Sequence, residues 1–414
     1  MALSDYLTLK PLVFGALDFV TSTESGTVTI VSRESALDAA TLSFLTEAAE
    51  YSSLERVYVA VRLPSRFDEV QQLVAPKLAN LDVDIIPVKI DSFAFLSALS
   101  SSSALFLTNQ YDIPNYRLFN RQRDVIRIHH GILTKAYGNL TAVNLDAQER
   151  RRRKNLRYPN KQRYITNLGI DVQSVESDVE RFYRATAEGR SPTVFRKYGY
   201  PRFDRIRRLL AGDCDPIIPR STVDQLNSSE SYRVLYAPTH KDDTYSTTLF
   251  PFADFELAEL RQFLRTENIE LYVRMHFSED EAAFYEEIVD NETIFRAGQK
   301  FSPSPTEILP SFDMLVTDYS SIYVDYLPVD NPIVFLKDDH ETFVANRGLA
   351  FEYDDYFPGR KIETFETFLS HLEMCAKNGS DNYDEDRKFV RRTFLPNREK
   401  PFLEHVIDCH LSQS

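Results

Sequence analysis

The chain has no tryptophan and only three cysteines among 414 residues. Cys214, Cys375 and Cys409 lie far apart and form no C-x-x-C pair. That spacing argues against a disulfide framework and a cysteine-built zinc site, and it fits a reducing compartment. No basic stretch is followed by an apolar core and a small-residue cleavage site, so no secretion signal is expected. Long apolar runs are missing too. A run such as residues 11–20 (PLVFGALDFV) is too short to cross a bilayer. Positive charge is in deficit. The formal net charge is −14, so the surface as a whole is not drawn to nucleic acid or to anionic lipid. There is no internal repeat and no low-complexity segment. These absences point to the cytosol or to the cytoplasmic face of a membrane.

What is present is ordinary for a globular chain of two domains: 43% hydrophobic and 27% charged residues. Strand patterns over residues 26–32, 56–61, 82–88, 105–108 and 124–129 alternate with helical spacing over 36–51, 67–81 and 93–99. A second series has strands over 233–237, 269–274, 293–296, 314–317 and 332–336, with helices over 255–264, 279–289 and 364–376 and a short one over 306–312. Strands separated by helices predict parallel sheets with crossover helices. The Pro- and Gly-punctuated stretch around 201–215 sets the division: a first Rossmann-like domain over 1–205 and a second over 206–414. A terminal helix over 401–411 is expected to pack back on the first domain.

The chain is organised around residues 314–327, MLVTDYSSIYVDYL. Met314 to Thr317 reads as a buried strand, Asp318 and Tyr319 as the turn, Ser320 as the N-cap and Ser321 to Leu327 as a helix stopped by Pro328. A strand–turn–helix with hydroxyls at the helix start suits a phosphate, because the first helical N–H groups lack internal partners. The same pattern also fits an ordinary cap. Three more strand ends fall in this half: Thr239 to Lys241, Arg274 to His276, and the loop beyond Leu336. Strand ends of one parallel sheet share a rim. That rim gathers Lys241, Arg274 and His276 with the hydroxyls of Thr239, Ser320 and Ser321, an anion site of diphosphate size. No Walker-type loop, no G-x-G-x-x-G after a strand and no D-x-D pair is present. No metal and no cofactor is therefore expected, and the charge on a leaving phosphate falls to donors and cations.

Two features lie in the first domain. His129, His130 and Gly131 follow directly on the strand DVIRIH, at the edge where open α/β sheets bind ligands. A histidine there suits a general base, and equally a loop-bonding residue. Residues 150–163 (RRRRKNLRYPNKQR) carry eight basic groups and no acid. Arg150, Arg151, Arg152, Arg153, Lys154 and Arg157 suit a membrane surface or a polyanionic polymer, or else form a solvated loop. No strong apolar face accompanies them, so deep insertion is not expected.

From about His129 to Lys361 the sequence resembles the CDP-glycerol glycerophosphotransferases, the primases and polymerases of wall teichoic acid and related capsule polymers. The family's W-H-G-T-P-x-K-x-x-G reads here as His129-His130-Gly131-Ile132-Leu133-Thr134-Lys135-Ala136-Tyr137-Gly138. Its G-x-P-R-x-D is Gly199 to Asp204, its Y-A-P-T-[WF]-R is Tyr236 to Lys241, and its R-x-H is Arg274 to His276. Its T-D-Y-S-S-x-x-x-D is Thr317 to Asp325, and its late R-G and P-G are Arg347-Gly348 and Pro358-Gly359. The family's tryptophan is His129 here, and its Thr-Pro is Ile132-Leu133; both departures fall on the acceptor side.

The resemblance implies a GT-B-like α/β fold, two Rossmann-like domains with parallel sheets facing across a cleft. It implies transfer of glycerol phosphate, or a related polyol phosphate, from a CDP-activated donor to a hydroxyl of a lipid-linked or polymeric acceptor at the inner face of the membrane, with CMP released. His130 would be the base, preferred over His129 because Gly131 follows it directly. Arg274, His276, Ser320 and Ser321, then Thr239, Lys241 and Asp318, would hold the donor. His129, Gly131 and Lys135 would lie on the acceptor side. A nucleotide-sugar glycosyltransferase and a non-catalytic polyanion- or membrane-binding protein are the competing readings.

Overall fold

Parallel strands covered by helices must be apolar on both faces, and the β-branched runs of this chain meet that demand. In the computed structural model the described residues are 22–32, 38–61, 83–90, 92–108, 123–129, 131–140, 170–228, 230–239, 249–275, 287–337 and 340–411. One sheet has seven strands: β1 (Glu24–Val31), β2 (Arg56–Val61), β3 (Asp84–Lys89), β4 (Ser102–Leu107), β5 (Asp124–Arg127), β6 (Val172–Ser174) and β7 (Phe195–Arg196). Their order is β3-β2-β1-β4-β5-β6-β7, and every pairing is parallel. The other has six: β8 (Tyr232–Tyr236), β9 (Ile269–Val273), β10 (Ile294–Arg296), β11 (Met314–Thr317), β12 (Ile333–Leu336) and β13 (Arg360–Ile362). Their order is β10-β9-β8-β11-β12-β13, again all parallel. In each sheet the strands count outward from the centre in both directions, which is a doubly wound topology.

The described helices are α1 (Ala39–Ala48), α2 (Phe93–Ser101), α3 (Asp178–Glu188), α4 (Pro201–Ala211), α5 (Arg220–Leu226), α6 (Leu257–Thr266), α7 (Ile322–Tyr326), α8 (His340–Asn346), α9 (Tyr353–Tyr356), α10 (Phe365–Asn378), α11 (Asp384–Phe394) and α12 (Phe402–Val406). Short polar side chains start several of them. The side chains of Asp38, Ser92, Ser177 and Thr364 accept from Thr41, Phe95, Glu180 and Thr367 N–H respectively, satisfying donors that the helix leaves open. The helix expected over 67–81 lies outside the described residues, as does most of the one over 279–289. Strands β6, β7 and β13 and helices α4, α8, α9 and α11 go beyond the sequence reading. The short helix expected over 306–312 is two 3-10 turns, Pro305–Glu307 and Leu309–Ser311.

The chain divides into two compact units. One gathers β1–β7 and the segment from Arg398 onward; the other gathers the stretch that follows Gly131 and the span from Ile206 to Asn397. In the second unit Val234, Tyr236, Leu271, Val273, Met314, Val316, Val334 and Leu336 point to one core face, where Phe250, Phe365, Phe368 and Leu372 cover them. Their i, i+2 spacing is the strand period. With no tryptophan to fill that layer, phenylalanines do so, as in the Phe250–Phe255 stack with centroids 5.1 Å apart.

Within the first unit, the C-terminal segment is tied down by charge as well as by apolar burial. Phe402 packs edge-on against Phe106 at 6.4 Å. Arg398 pairs with Glu176 at 3.2 Å and with Asp204 at 2.5 Å, and Asp204 also accepts the Phe402 N–H at 2.8 Å. Glu47 on α1 accepts the Leu403 N–H at 3.0 Å through one carboxylate oxygen. Burial, aided by the nearby Asp204 charge, pushes the Glu47 carboxyl well above the usual glutamate range. A raised carboxyl binds its proton more tightly in the folded chain. Its contribution is therefore full below the ordinary glutamate value and is lost as pH rises through the raised one. Glu47→Gln keeps a carbonyl for Leu403 and cannot ionise. Its thermal midpoint relative to the parent should rise steadily between pH 5 and pH 8; an offset that stays constant with pH would contradict the assignment.

Candidate active site

The second sheet reverses its winding between β8 and β11, so the loops after these two strands leave a crevice at their carboxyl ends. Those loops are Ala237 to Thr239 and Asp318 to Ser321. They are joined through one side chain. Buried Asp318 accepts, at Oδ1, the N–H of Thr239 at 2.8 Å, of Tyr319 at 2.6 Å and of Ser320 at 3.2 Å. Beneath it, Thr317 Oγ1 donates to Ala237 O at 2.7 Å and Ala237 N to Val316 O at 2.9 Å. One carboxylate oxygen is thus spent on the two loops, and Ser320 and Ser321 beside it are half-buried.

This amends two readings of the motif. Through Oδ1, Asp318 anchors the two loops to each other, a loop-joining role that the donor-binding reading did not include. The N-cap position belongs to Ser321, not Ser320; its side chain makes no capping bond, and α7 has five residues. The Tyr319 and Ser320 N–H groups bond to Asp318, so the polar groups this turn presents at the mouth are the serine hydroxyls.

A cation reaches the same crevice from an unexpected stretch. The residues after Gly131 run along the second unit and pair with 348–350. Lys135 forms an antiparallel bridge to Leu349, Ala136 N donates to Gly348 O at 3.0 Å, and Ala350 N donates to Thr134 O at 2.8 Å. This pairing holds the Lys135 ammonium 3.5 Å from Thr239 Oγ1 and 5.8 Å from the centre of the Phe343 ring. Phe343 in turn stacks on Tyr319, with centroids 4.0 Å apart. The sequence pattern puts Lys135 on the acceptor side; the structure seats it on the β8 rim. The Arg347-Gly348 motif was legible in the sequence, and its structural part is this pairing. Phe343 carried no sequence signal of its own.

Arg274 follows β9, but its guanidinium turns to the main chain. NH1 donates to Ala297 O at 2.8 Å and to Ser302 O at 3.2 Å, and NH2 donates to Ser302 O at 3.2 Å. These bonds hold the loop after β10, so the expected direct grip on phosphate is replaced by a loop-holding role. His130, Lys241, His276 and the basic run of Arg150 to Arg157 lie outside the described residues.

In the first unit, His129 and Gly131 are buried just past β5. His129 Nε2 meets Gln173 Oε1 at 2.9 Å, and its Nδ1 meets Arg184 NH1 at 3.2 Å. A ring held at both nitrogens and 4% exposed does not face an acceptor, which corrects that reading. Gly131 has φ of 112°, a backbone conformation that favours glycine, and Arg202 NH1 lies 2.8 Å from where a Cβ would sit. Among the described residues, no group of three or more His, Cys, Asp or Glu is placed to hold a metal ion.

Two doubly wound parallel sheets, with a polar crevice at the switch point of the second, define a protein of the GT-B-like class. A family profile described as CDP-glycerol:poly(glycerophosphate) glycerophosphotransferase matches residues 21–407. The chain belongs to that family. The teichoic acid glycerol-phosphate primase of Bacillus subtilis is 24% identical over 50% of this chain and 54% of its own length. The poly(glycerol phosphate) polymerase of the same organism is 31% identical over 43% of this chain and 23% of its own. The matched segments thus span about half of the first relative and about a quarter of the second. Among solved structures, the wall teichoic acid polymerase TagF superposes with a TM-score of 0.72 at 17% identity, covering 98% of this chain and 93% of that one. UDP-GlcNAc 2-epimerase of Neisseria meningitidis superposes with a TM-score of 0.53 at 10% identity, covering 94% of this chain and 100% of that one.

Removing the Asp318 carboxylate strands buried N–H groups on both loops. Asp318→Ala should lower unfolding stability by about 2–3 kcal/mol. Urea denaturation measures this, and a loss below about 0.5 kcal/mol would show that the loops hold without it.

Proposed function

We propose that this protein transfers glycerol phosphate, or a related polyol phosphate, from a CDP-activated donor to a hydroxyl of a lipid-linked or polymeric acceptor. Family membership supports the reaction class, and the observation that carries the reading is the β8/β11 crevice. There a lysine, a threonine and two serines lie together, and Oδ1 of the local carboxylate is taken up by main-chain N–H groups. That is a mouth built to take negative charge. Ser320 and Ser321 donate to the diphosphate oxygens, Lys135 neutralises them, and the Tyr319–Phe343 stack walls the crevice. Lys241 and His276 are further cations assigned to the donor.

In the reaction, the acceptor hydroxyl oxygen attacks the β-phosphorus of the donor. The bond from that phosphorus to the bridging oxygen breaks, CMP leaves with the oxygen, and a phosphodiester forms. His130 takes the hydroxyl proton. A base of this kind contributes about 10²–10⁴-fold, and the rest comes from positioning and charge stabilisation. Donors and cations of the chain carry the leaving charge without a tightly held metal. The basic run of Arg150 to Arg157 docks the enzyme on the anionic inner face of the cell membrane.

The deciding experiment is release of CMP from CDP-glycerol and from CDP-ribitol in the presence of an acceptor. Turnover should fall by about a hundredfold or more in His130→Asn and persist in EDTA. Turnover of nucleotide sugars alone would overturn the reading. Lys135→Met should weaken CDP-glycerol binding about tenfold by calorimetry, with a smaller effect at high salt. An unchanged affinity would remove Lys135 from the donor site. Replacing Arg150 to Arg153 with glutamine should weaken binding to vesicles containing anionic lipid, and equal binding by variant and parent would leave the run merely solvated.

A further inference from the structure

The first unit holds a second polar assembly, buried beneath β5 and β6, that the transfer reading leaves unused. Arg184 on α3 is 1% exposed and spends all three guanidinium nitrogens on different partners. Nε donates to Glu180 Oε1 at 2.7 Å, NH1 to His129 Nδ1 at 3.2 Å and NH2 to Gly131 O at 2.7 Å. Its first partner is fixed in turn. Glu180 also accepts the Tyr200 hydroxyl at 2.6 Å and the Glu176 N–H at 2.9 Å, and Glu176 accepts the Tyr200 N–H at 2.7 Å.

These bonds determine the state of the His129 ring. A guanidinium has no acceptor, so Nδ1 must offer its lone pair and the ring proton must sit on Nε2. That proton is donated to Gln173 Oε1 at 2.9 Å. The same oxygen accepts from Arg127 NH1 at 3.0 Å, and Gln173 Nε2 donates to Glu188 Oε2 at 2.8 Å, so every direction agrees. A second proton on His129 would point at the guanidinium. The charged groups facing the ring are Arg184 and, through Gln173, Arg127 and Glu188, with Glu180 behind Arg184 and Arg202 over Gly131. His129 also has φ of 36°, a left-handed backbone that costs free energy in a non-glycine residue and persists only where its surroundings hold it.

His129 and Gly131 are the two neighbours of His130. We propose that Arg184 is a positioning residue for His130, fixing the chain on both sides of it through the His129 ring and the Gly131 carbonyl. This rests on the transfer reading above, in which His130 is the base. It also settles the choice between the two histidines: a neutral ring with both nitrogens engaged has no lone pair left for a substrate proton. The family pattern has tryptophan at this position. The histidine found here comes with a polar partner for each ring nitrogen, which is what a buried imidazole requires.

The test uses the whole chain and reads CMP release from CDP-glycerol together with donor binding. Lysine cannot reach three acceptors at once, so Arg184→Lys should lower kcat on the order of tenfold to a hundredfold with KM for the donor within about twofold. A folded Arg184→Lys protein with parental kcat overturns the proposal, as does one in which kcat, KM and thermal midpoint all fall together. Should that variant not fold, His129→Phe should lower kcat by removing the Nδ1 acceptor. His129→Asn, which places an oxygen near that atom, should recover most of the loss. Full activity in His129→Phe overturns the proposal. An independent readout is 15N-histidine NMR. The signal lost in His129→Asn should be that of a neutral ring carrying its proton on Nε2; the Nδ1–H tautomer or an imidazolium at neutral pH overturns it. A parent protein that releases no CMP from any CDP-polyol defeats the transfer reading itself, and the positioning role with it. Failure in the variants or in the NMR signal alone defeats only the positioning role.

Discussion

One carboxylate sets the geometry of the second unit's crevice. Asp318 accepts N–H groups from its own turn and from the end of the neighbouring strand, so β8 and β11 cannot splay where their helices depart to opposite faces. Charge-assisted bonds of this kind are roughly twice as strong as neutral ones. Sequestering the charge matters as much as the strength. A bare aspartate at the mouth would repel a diphosphate, whereas here one oxygen of the same residue is neutralised by three N–H donors and orders the loops. The D-Y-S-S order follows from that division of labour: Asp318 ties the loops through Oδ1, Tyr319 stacks on Phe343, and the two serines are half-buried beside them.

The sheets were legible because their strands are apolar on both faces. Arg56–Val61 and Met314–Thr317 come straight from the alternation of β-branched residues. The edge strands did not announce themselves. Val172–Ser174, Phe195–Arg196 and Arg360–Ile362 have two or three residues each, too few for a period, and exist because a long-range neighbour offers a ladder. Helix Pro201–Ala211 was hidden by Gly199 and Pro201, which look like punctuation. A proline at the first helical position starts a helix rather than breaking one, since the missing N–H has no partner to lose there.

The site was legible as a set of residue types and not as a set of directions. Arg274 stands at a strand end as the pattern requires, yet the backbone carbonyls of Ala297, Gly298 and Ser302 in the next loop claim its fork. Lys135 is five residues past His130 and reads as part of the same feature. The pairing with Leu349 carries it into the second unit, and no local signal encodes a partner 214 positions away. His129 looked like a rival base; its burial and the nature of its neighbours, both tertiary facts, remove it.

The proposed donor would place a dianionic ligand on an acidic chain, and distance resolves that conflict. Screening at physiological salt cuts off exposed charges beyond about 8 Å, so most of the net −14 is not felt in the crevice. A lysine about 4 Å from a phosphate oxygen in a partly buried setting interacts with an energy on the order of 4 kcal/mol. One well-placed ammonium therefore outweighs many remote carboxylates. The requirement falls on placement, and placement here is the work of a single β-bridge together with an aromatic ring beneath the lysine stem. Under the proposed function, the negative remainder of the surface disfavours indiscriminate polyanion binding and leaves anion recognition to the crevice and to the basic run over 150–163.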